Sequence, residues 1–370
     1  MLEVQDIFRD FGQEFIERYN PPPHVCKTIR DICNCRTEAL GAHVDCCDNC
    51  GYTQISYNSC RNRHCPKCQS LNKEKWILGR QSELLPVPYF HVVFSLPSDL
   101  DAIALQNQET IYNILLRASA ETLKELSADP NYLGAEIGFI SVLHTWGQTL
   151  TLHPHVHMIV PGGGLTPEGK WKEASKKFFL PVRAMSRLFR GKFLFYLKNA
   201  ELSFLGSQEY LADISQFDSL LSSLYNKEWY VYCKRPFKTT YSVLEYLGRY
   251  THRVAISNHR ILKFEDGMVS FKWRDYSEHG AEKTMALHAL EFIRRFLLHV
   301  LPPGFTKIRH YGFLGSAVKA IKLRIISRLL GFMLAVKKTL STVDLIKKLT
   351  GKDITLCPIC GAKFSMSASP

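Results

Sequence analysis

Between residues 89 and 97 the chain reads Tyr-Phe-His-Val-Val-Phe-Ser-Leu-Pro, a run of β-branched and aromatic side chains ended by proline, which predicts a strand. Residues 101–126 place apolar side chains at helical spacing, as in a helix lying over one face of a sheet. Residues 137–150 and 155–160 read as two neighbouring strands, closed by Gly162, Gly163 and Gly164. Strand, helix, strand, strand in that order suggests an α+β sandwich, an antiparallel sheet covered by helices. Farther on, Val243, Leu247, Tyr250 and Val254 form an apolar stripe of helical period. Residues 259–273, with Asp266-Gly267 at their centre, read as a hairpin. Residues 289–298 and 315–336 read as helices. The second carries Val318, Ile321, Ile325 and Leu329 on one side and Lys319, Lys322, Arg324 and Arg328 around the other.

A chain of 370 residues can bury more than one core, so more than one domain is expected. The longest apolar stretches, such as 329–336, fall well short of the roughly 20 residues that span a bilayer. The first residues, Met1-Leu-Glu-Val-Gln-Asp, put acids where a signal peptide has a basic start, so a cytoplasmic protein is expected. The formal charge of +13 is concentrated: residues 294–348 hold twelve Lys or Arg against one acid, Asp344, or +11 in that segment alone. Such a stripe suits a polyanion, nucleic acid ahead of a membrane surface or a merely solvated helix face.

Of the twelve cysteines, nine lie between Cys26 and Cys68, one is Cys233, and two form Cys357-Pro-Ile-Cys360. Clustering of this kind in a chain read as cytoplasmic favours thiolate metal ligands over disulfides. Cys47-x2-Cys50 followed after fourteen residues by Cys65-x2-Cys68 has the spacing of a two-knuckle zinc site. Cys35, His43, Cys60 and His64 offer a second set, which would make an interleaved module of one or two zinc ions. Cys26 and Cys33 look like spares, and Cys357 and Cys360 lack obvious partners nearby. Arg61, Arg63 and Lys67 add positive charge to the module, which reads as a zinc-supported DNA-binding unit.

The densest chemistry lies in His153-Pro154-His155-Val156-His157-Met158-Ile159. Side chains two apart in a strand share a face, so His155 and His157 can aim at one divalent ion. A third ligand can come from the preceding strand, where Gln148 and His144 stand four apart. Gln148 is the preferred reading because its carbonyl suits Mg²⁺ or Mn²⁺, whereas His144 would shift preference toward softer first-row metals. Tyr246 and Tyr250, four apart on a helix, present two phenols side by side, with Arg249 and Arg253 adjoining. A tyrosine there can simply be packing; beside a metal it can be a nucleophile on phosphorus.

Taken together, Cys60-Arg-Asn-Arg-His-Cys-Pro-Lys-Cys68, Trp146-Gly-Gln148, the run from His153 to Gly163 and Tyr246-Leu-Gly-Arg-Tyr250-Thr-His-Arg-Val-Ala-Ile-Ser-Asn258 resemble the two-tyrosine HUH transposases of rolling-circle insertion sequences. The resemblance extends from about Cys35 to His310-Tyr-Gly-Phe-Leu-Gly315. It implies a single-strand DNA endonuclease and strand transferase acting at element ends and target DNA. His155, His157 and a third polar ligand would hold Mg²⁺ or Mn²⁺; Tyr246 or Tyr250 would form a 5′-phosphotyrosine and release a 3′-hydroxyl. Lys319, Lys322, Arg324 and Arg328 would grip the strand, with no membrane role and with a homo-oligomer left open. The alternatives are a replication initiator or relaxase of the same chemistry, or a catalytically silent zinc-dependent DNA-binding protein. The expected division is an N-terminal helix (1–23), a zinc-binding module (24–85), an HUH nuclease domain (86–275) with its tyrosine helix near 241–253, a basic helical region (276–349) and a tail (350–370).

Overall fold

The computed structural model describes residues 2–175, 179–234, 243, 246, 248, 251, 254–336 and 340–364. Helices α1 (Val4–Tyr19) and α2 (Pro23–Asn34) come first, followed by the hairpin β1 (Ala42–Cys46) and β2 (Thr53–Tyr57) and helix α3 (Pro66–Gln81). The centre comprises β3 (Tyr89–Ser95), α4 (Asp101–Gln106), α5 (Gln108–Ala128), β4 (Gly138–Trp146) and β5 (Leu152–Pro161). After them come the small pair β6 (Gly163–Leu165) and β7 (Trp171–Glu173), then α6 (Val182–Lys198), α7 (Ile214–Asn226) and β8 (Val231–Lys234). The chain continues with β9 (Ile261–Glu265), β10 (Met268–Asp275), β11 (Ala281–His288), α8 (Ala289–Leu297), β12 (Ile308–Gly312), α9 (Lys319–Leu329) and α10 (Thr342–Thr350).

The architecture is α+β around a five-stranded sheet of order β12-β4-β5-β3-β8, antiparallel throughout. Alternation along each strand sorts the side chains into two faces. Phe90, Val92 and Phe94 of β3, Phe139 and Leu143 of β4, and Val156, Met158 and Val160 of β5 bury one face beneath α5 and α6. Tyr89, Ile140, Val142 and Ile159 face the other way, into a smaller core with Val243, Phe313, Leu323 and Ile326. His155 and His157 belong to this second face, because Val156 belongs to the first. A third core joins distant segments: Phe8 of α1 meets Phe296 of α8 edge-on at 5.2 Å, and Phe11 meets Phe264 of β9 at 6.1 Å.

Three readings of local pattern change. The helix expected over 101–126 is broken at Asn107, whose backbone leaves the helical region (φ −124°, ψ 44°) while its amide group donates to the Ser203 carbonyl and accepts from the Ser203 N–H. The helix expected over 315–336 is confined to α9, because Gly331 takes φ +66° just past its end and Leu330 and Phe332 turn into the second core. Its apolar row is rotated outward: Val318, Ile321, Ile325 and Leu329 are exposed, and Leu323 and Ile326 anchor the helix. The 259–273 hairpin forms as β9 and β10, with Asp266 and Gly267 both at positive φ, and gains β11, whose half-polar sequence gave little sign of a strand.

Beneath the β4–β5 turn His299 is fully buried, its Nδ1 3.1 Å from Thr145 Oγ1 and its Nε2 3.1 Å from the Leu150 carbonyl. Burial pushes its pKa down to about 4. Because the folded value lies below the ordinary one near 6.5, the unfolded chain binds the proton first; the stability is whole above about pH 6.5 and is lost as pH falls toward 4, by up to about 3 kcal/mol. A His299→Asn variant is therefore expected to be weaker at neutral pH yet to lose less on acidification. Denaturant titrations from pH 7 to 4 check this, and parallel pH profiles for the two proteins would refute it.

Candidate metal and tyrosine site

Strand β5 presents His155 and His157 on one face, and the register of β4 sets His144 directly opposite His155. The three imidazoles bring ligand atoms within 4.8 Å of one another. Ring centroids are 5.5 Å apart for His144 and His155, 4.6 Å for His144 and His157, and 4.8 Å for His155 and His157. His144 and His157 are buried, and Trp146 stacks on His144 at 4.7 Å. Nδ1 of His155 lies 2.6 Å from its own chain's His153 carbonyl, which only an Nδ1–H can donate to.

Gln148 stands elsewhere. The ladder shifts register between His144 and Trp146 and ends at the Trp146–Leu152 pair, and Gln148 falls in the turn that follows, its side-chain Nε2 3.4 Å from Tyr276 Oη and its backbone carbonyl accepting from Arg260 Nη2 at 2.6 Å. The counting that put Gln148 and His144 on one strand face fails because the strand stops at Trp146. The imidazole brought beside His155 and His157 is that of His144.

Strand β3 supplies a residue that sequence reasoning missed. His91 shares the face of His157, and its Nε2 lies 2.8 Å from His157 Nδ1 with the rings stacked at 5.1 Å. Tyr246 Oη lies 2.9 Å from His91 Nδ1 and 3.2 Å from its Nε2. Burial holds the His91 pKa down at about 3, so the ring is neutral at physiological pH. The signal was present in the strand sequence Tyr-Phe-His-Val-Val-Phe, where one polar ring interrupts a fully apolar run. Tyr246 is helical, as are Val243, Gly248 and Thr251. A Cβ at Gly248 would lie 2.3 Å from Ile77 Cδ1, so glycine is what lets this helix close onto α3. Tyr250, Arg249 and Arg253 lie outside the described residues.

The cysteines form two groups of four: Cys35, Cys60, Cys65 and Cys68, and Cys47, Cys50, Cys357 and Cys360. This corrects the expected pairing. Cys35 ends α2, Cys65 caps α3 and Cys68 lies in its first turn, which draws them together with Cys60; Cys68 Sγ lies 3.6 Å from both Cys35 Sγ and Cys60 Sγ. His43 is exposed on β1 and belongs to neither group. His64 is turned inward beneath residue 301, whose N–H reaches its Nε2 at 3.4 Å, and burial holds its pKa well below the ordinary value. The Cys26 and Cys33 thiols donate hydrogen bonds to the carbonyls of Pro21 and Phe8.

The expected DNA contacts also divide. Arg63 donates to the carbonyls of Leu301, Pro302 and Phe305, and Lys67 pairs with Glu3 at 2.5 Å and Gln5 Oε1 at 2.6 Å, so both hold the zinc module to its surroundings. Lys319 pairs with Glu83 at 2.6 Å and Lys322 with Glu136 at 2.9 Å. Arg61, Arg324 and Arg328 are exposed. Among the described residues, no helix is long and apolar enough to cross a membrane.

Comparison with known proteins places this geometry in a family. Residues 138–321 match the family model described as "Putative transposase", and residues 7–96 match the "Transposase zinc-binding domain". The Sinorhizobium fredii protein named "Putative transposase y4qJ" is 47% identical over 368 residues, covering 97% of this chain and 92% of that one. The "Transposase for insertion sequence element IS801" of Pseudomonas savastanoi pv. phaseolicola is 28% identical over 298 residues, covering 79% of this chain and 70% of that one. The chain belongs to this transposase family and carries its zinc-binding domain. Among solved structures, the conjugative relaxase TrwC bound to its origin DNA matches with 12% identity and a TM-score of 0.25 over 66% of this chain and 73% of that one. A second TrwC complex matches with a TM-score of 0.23 over 42% and 70%.

Proposed function

We propose that this transposase cuts and rejoins single-stranded DNA at the ends of a rolling-circle insertion sequence through a tyrosine, using a divalent ion held by His144, His155 and His157. The observation that carries the reading is the unbroken line from the imidazole cluster to a phenol: His157, His91, Tyr246. The donor set fits a divalent first-row metal, with three imidazole nitrogens carried on two paired strands. When bound, the ion would polarise the scissile phosphate and stabilise the charge that develops on it.

The residues themselves fix the proton pattern. His155 spends its Nδ1–H on the His153 carbonyl, so Nε2 is its ligating atom. If His157 likewise ligates through Nε2, its Nδ1 carries the proton and donates to His91 Nε2. His91 then carries its own proton on Nδ1, and Tyr246 Oη, 2.9 Å from Nδ1 and 3.2 Å from Nε2, lies against the edge of that ring between its two nitrogens. The phenol's unperturbed pKa near 10 is too high for a nucleophile at neutral pH, so attack depends on positive charge beside the oxygen that favours the phenolate. The phenolate oxygen would bond to phosphorus as the P–O3′ bond breaks, with the phenolic proton passing to water and the departing 3′-oxygen taking one up. The phosphotyrosine ester preserves the bond energy, so rejoining needs no nucleotide. Tyr250 would serve the second strand transfer. Arg61, Arg324 and Arg328 are the exposed cations offered to the strand, and binding through them would weaken steeply with salt.

The test is covalent capture. Labelled single strands from both flanks of the gene, incubated with the protein and Mn²⁺ or Mg²⁺, should yield an adduct that survives a denaturing gel and vanishes in the Tyr246→Phe/Tyr250→Phe double variant. The single variants would give the order of the tyrosines. Three imidazoles should make Mn²⁺ effective at lower concentration than Mg²⁺. Tight binding of the strands without an adduct under either metal would instead support a silent DNA-binding protein.

A further inference from the structure

We infer that Cys47, Cys50, Cys357 and Cys360 hold a zinc ion that clamps the C-terminal tail to the N-terminal module and so pins the far end of the basic segment across α3. The two halves of the site are separate turns of the same construction. Cys47 N–H donates to the Tyr52 carbonyl at 2.9 Å and Gly51 N–H returns to the Cys47 carbonyl at 2.7 Å; Cys357 N–H donates to the Ala362 carbonyl at 2.8 Å and Gly361 N–H to the Cys357 carbonyl at 2.9 Å. Gly51 and Gly361 take φ +73° and +74°, the backbone each Cys-x-x-Cys-Gly turn requires. Two matching knuckles therefore face each other, although they come from opposite ends of the chain.

Their sulfurs are spaced for a metal. Cys47 Sγ and Cys360 Sγ lie 3.5 Å apart, Cys50 Sγ and Cys357 Sγ 3.6 Å, and all four lie within 4.8 Å of one another. Covalent disulfide sulfurs would be about 2 Å apart. Tetrahedral zinc with Zn–S bonds of about 2.3 Å sets its sulfurs roughly 3.8 Å apart, close to what is found.

The clamp supplies what the tail lacks. Helix α10 has nine residues, too few to persist alone, and Leu345 is its only buried side chain. It touches α3 through a Lys75 Nζ to Thr342 Oγ1 bond of 3.0 Å, and Phe364 lies 6.5 Å from the Tyr52 ring. An ion joining Cys50 to Cys357 spans 307 residues of sequence and converts these weak contacts into a fixed position for residues 342–364. The two centres also differ in access. Cys50 and Cys360 are exposed, whereas Cys35, Cys65 and Cys68 are buried, so a chelator should strip the clamp first.

The experiment uses the full chain and is independent of DNA cleavage. Elemental analysis should give one zinc ion fewer in Cys357→Ser/Cys360→Ser than in the wild-type protein, with the same loss in Cys47→Ser/Cys50→Ser. Hydrogen exchange should then speed up over residues 342–364 while the amides of the central sheet keep their protection. On the wild-type protein, a chromogenic chelator should release one ion quickly and the second slowly, with the same exchange change appearing after the first. An equal zinc count in the wild-type protein and the double variants would overturn the site. Loss of one zinc without faster exchange in the tail would overturn the clamp.

Discussion

Replacing His157 by alanine is expected to reduce adduct formation with single-stranded DNA by at least about 100-fold, and added Mn²⁺ should not restore it fully. His157 is joined to both halves of the site: it stands among three imidazoles whose ligand atoms lie within 4.8 Å, and its Nδ1 is 2.8 Å from the ring that contacts Tyr246. Its removal would therefore delete a ligand of the proposed ion and break the His157–His91 contact that fixes the His91 tautomer. His91→Phe keeps the three imidazoles and removes only that line. It should raise the Mn²⁺ concentration needed for half-maximal adduct by about 10- to 100-fold and lower the maximal rate. The two variants measured over a metal titration separate the roles. If His91→Phe behaved like wild type, the stacked pair would be packing, and the tautomer argument would fall with it.

Breaking the buried cysteine centre should be the most damaging single change to the fold. Cys65 and Cys68 lie in the second core cluster with Val4, Phe8, Ile29, Ile32 and Phe296, so the centre they share with Cys35 and Cys60 is continuous with the packing of α1, α2 and α8. Structural zinc in small modules contributes on the order of 10 kcal/mol, comparable to the whole stability of a typical domain. Cys68→Ser is expected to unfold residues 4–81 and to release α8 from its partner Phe8, seen as a lost or strongly lowered first thermal transition. The clamp variant Cys357→Ser/Cys360→Ser should leave that transition nearly in place. A Cys68→Ser protein melting with the wild type would mean that the core holds without the metal.

Much of this site was legible residue by residue. The two-residue period of a strand put His155 and His157 together, and the helical reading around Tyr246 holds at that residue, while its expected neighbour Tyr250 lies outside the described residues. Each Cys-x-x-Cys-Gly turn was readable because its chemistry is complete within five residues. Charge was less informative: Arg63 and Lys67 looked like DNA contacts, yet backbone carbonyls and Glu3 consume them. A count of cations does not tell which side chains have partners in the fold.

The sequence by itself determined the α+β class, the two strand histidines, the cysteine knuckles and the density of positive charge near the C-terminal end. These depend on periodicity and on neighbours a few residues apart, which the local chain carries in full. Only the tertiary structure decided that His144, and not Gln148, stands opposite His155 and that His91 lies between His157 and Tyr246. It also decided that Cys47 and Cys50 meet Cys357 and Cys360. Each of these turns on where one strand stops, which register its neighbour takes, or which distant turn packs against it. Such choices are set by the summed packing of the whole chain, and no short stretch of sequence contains them.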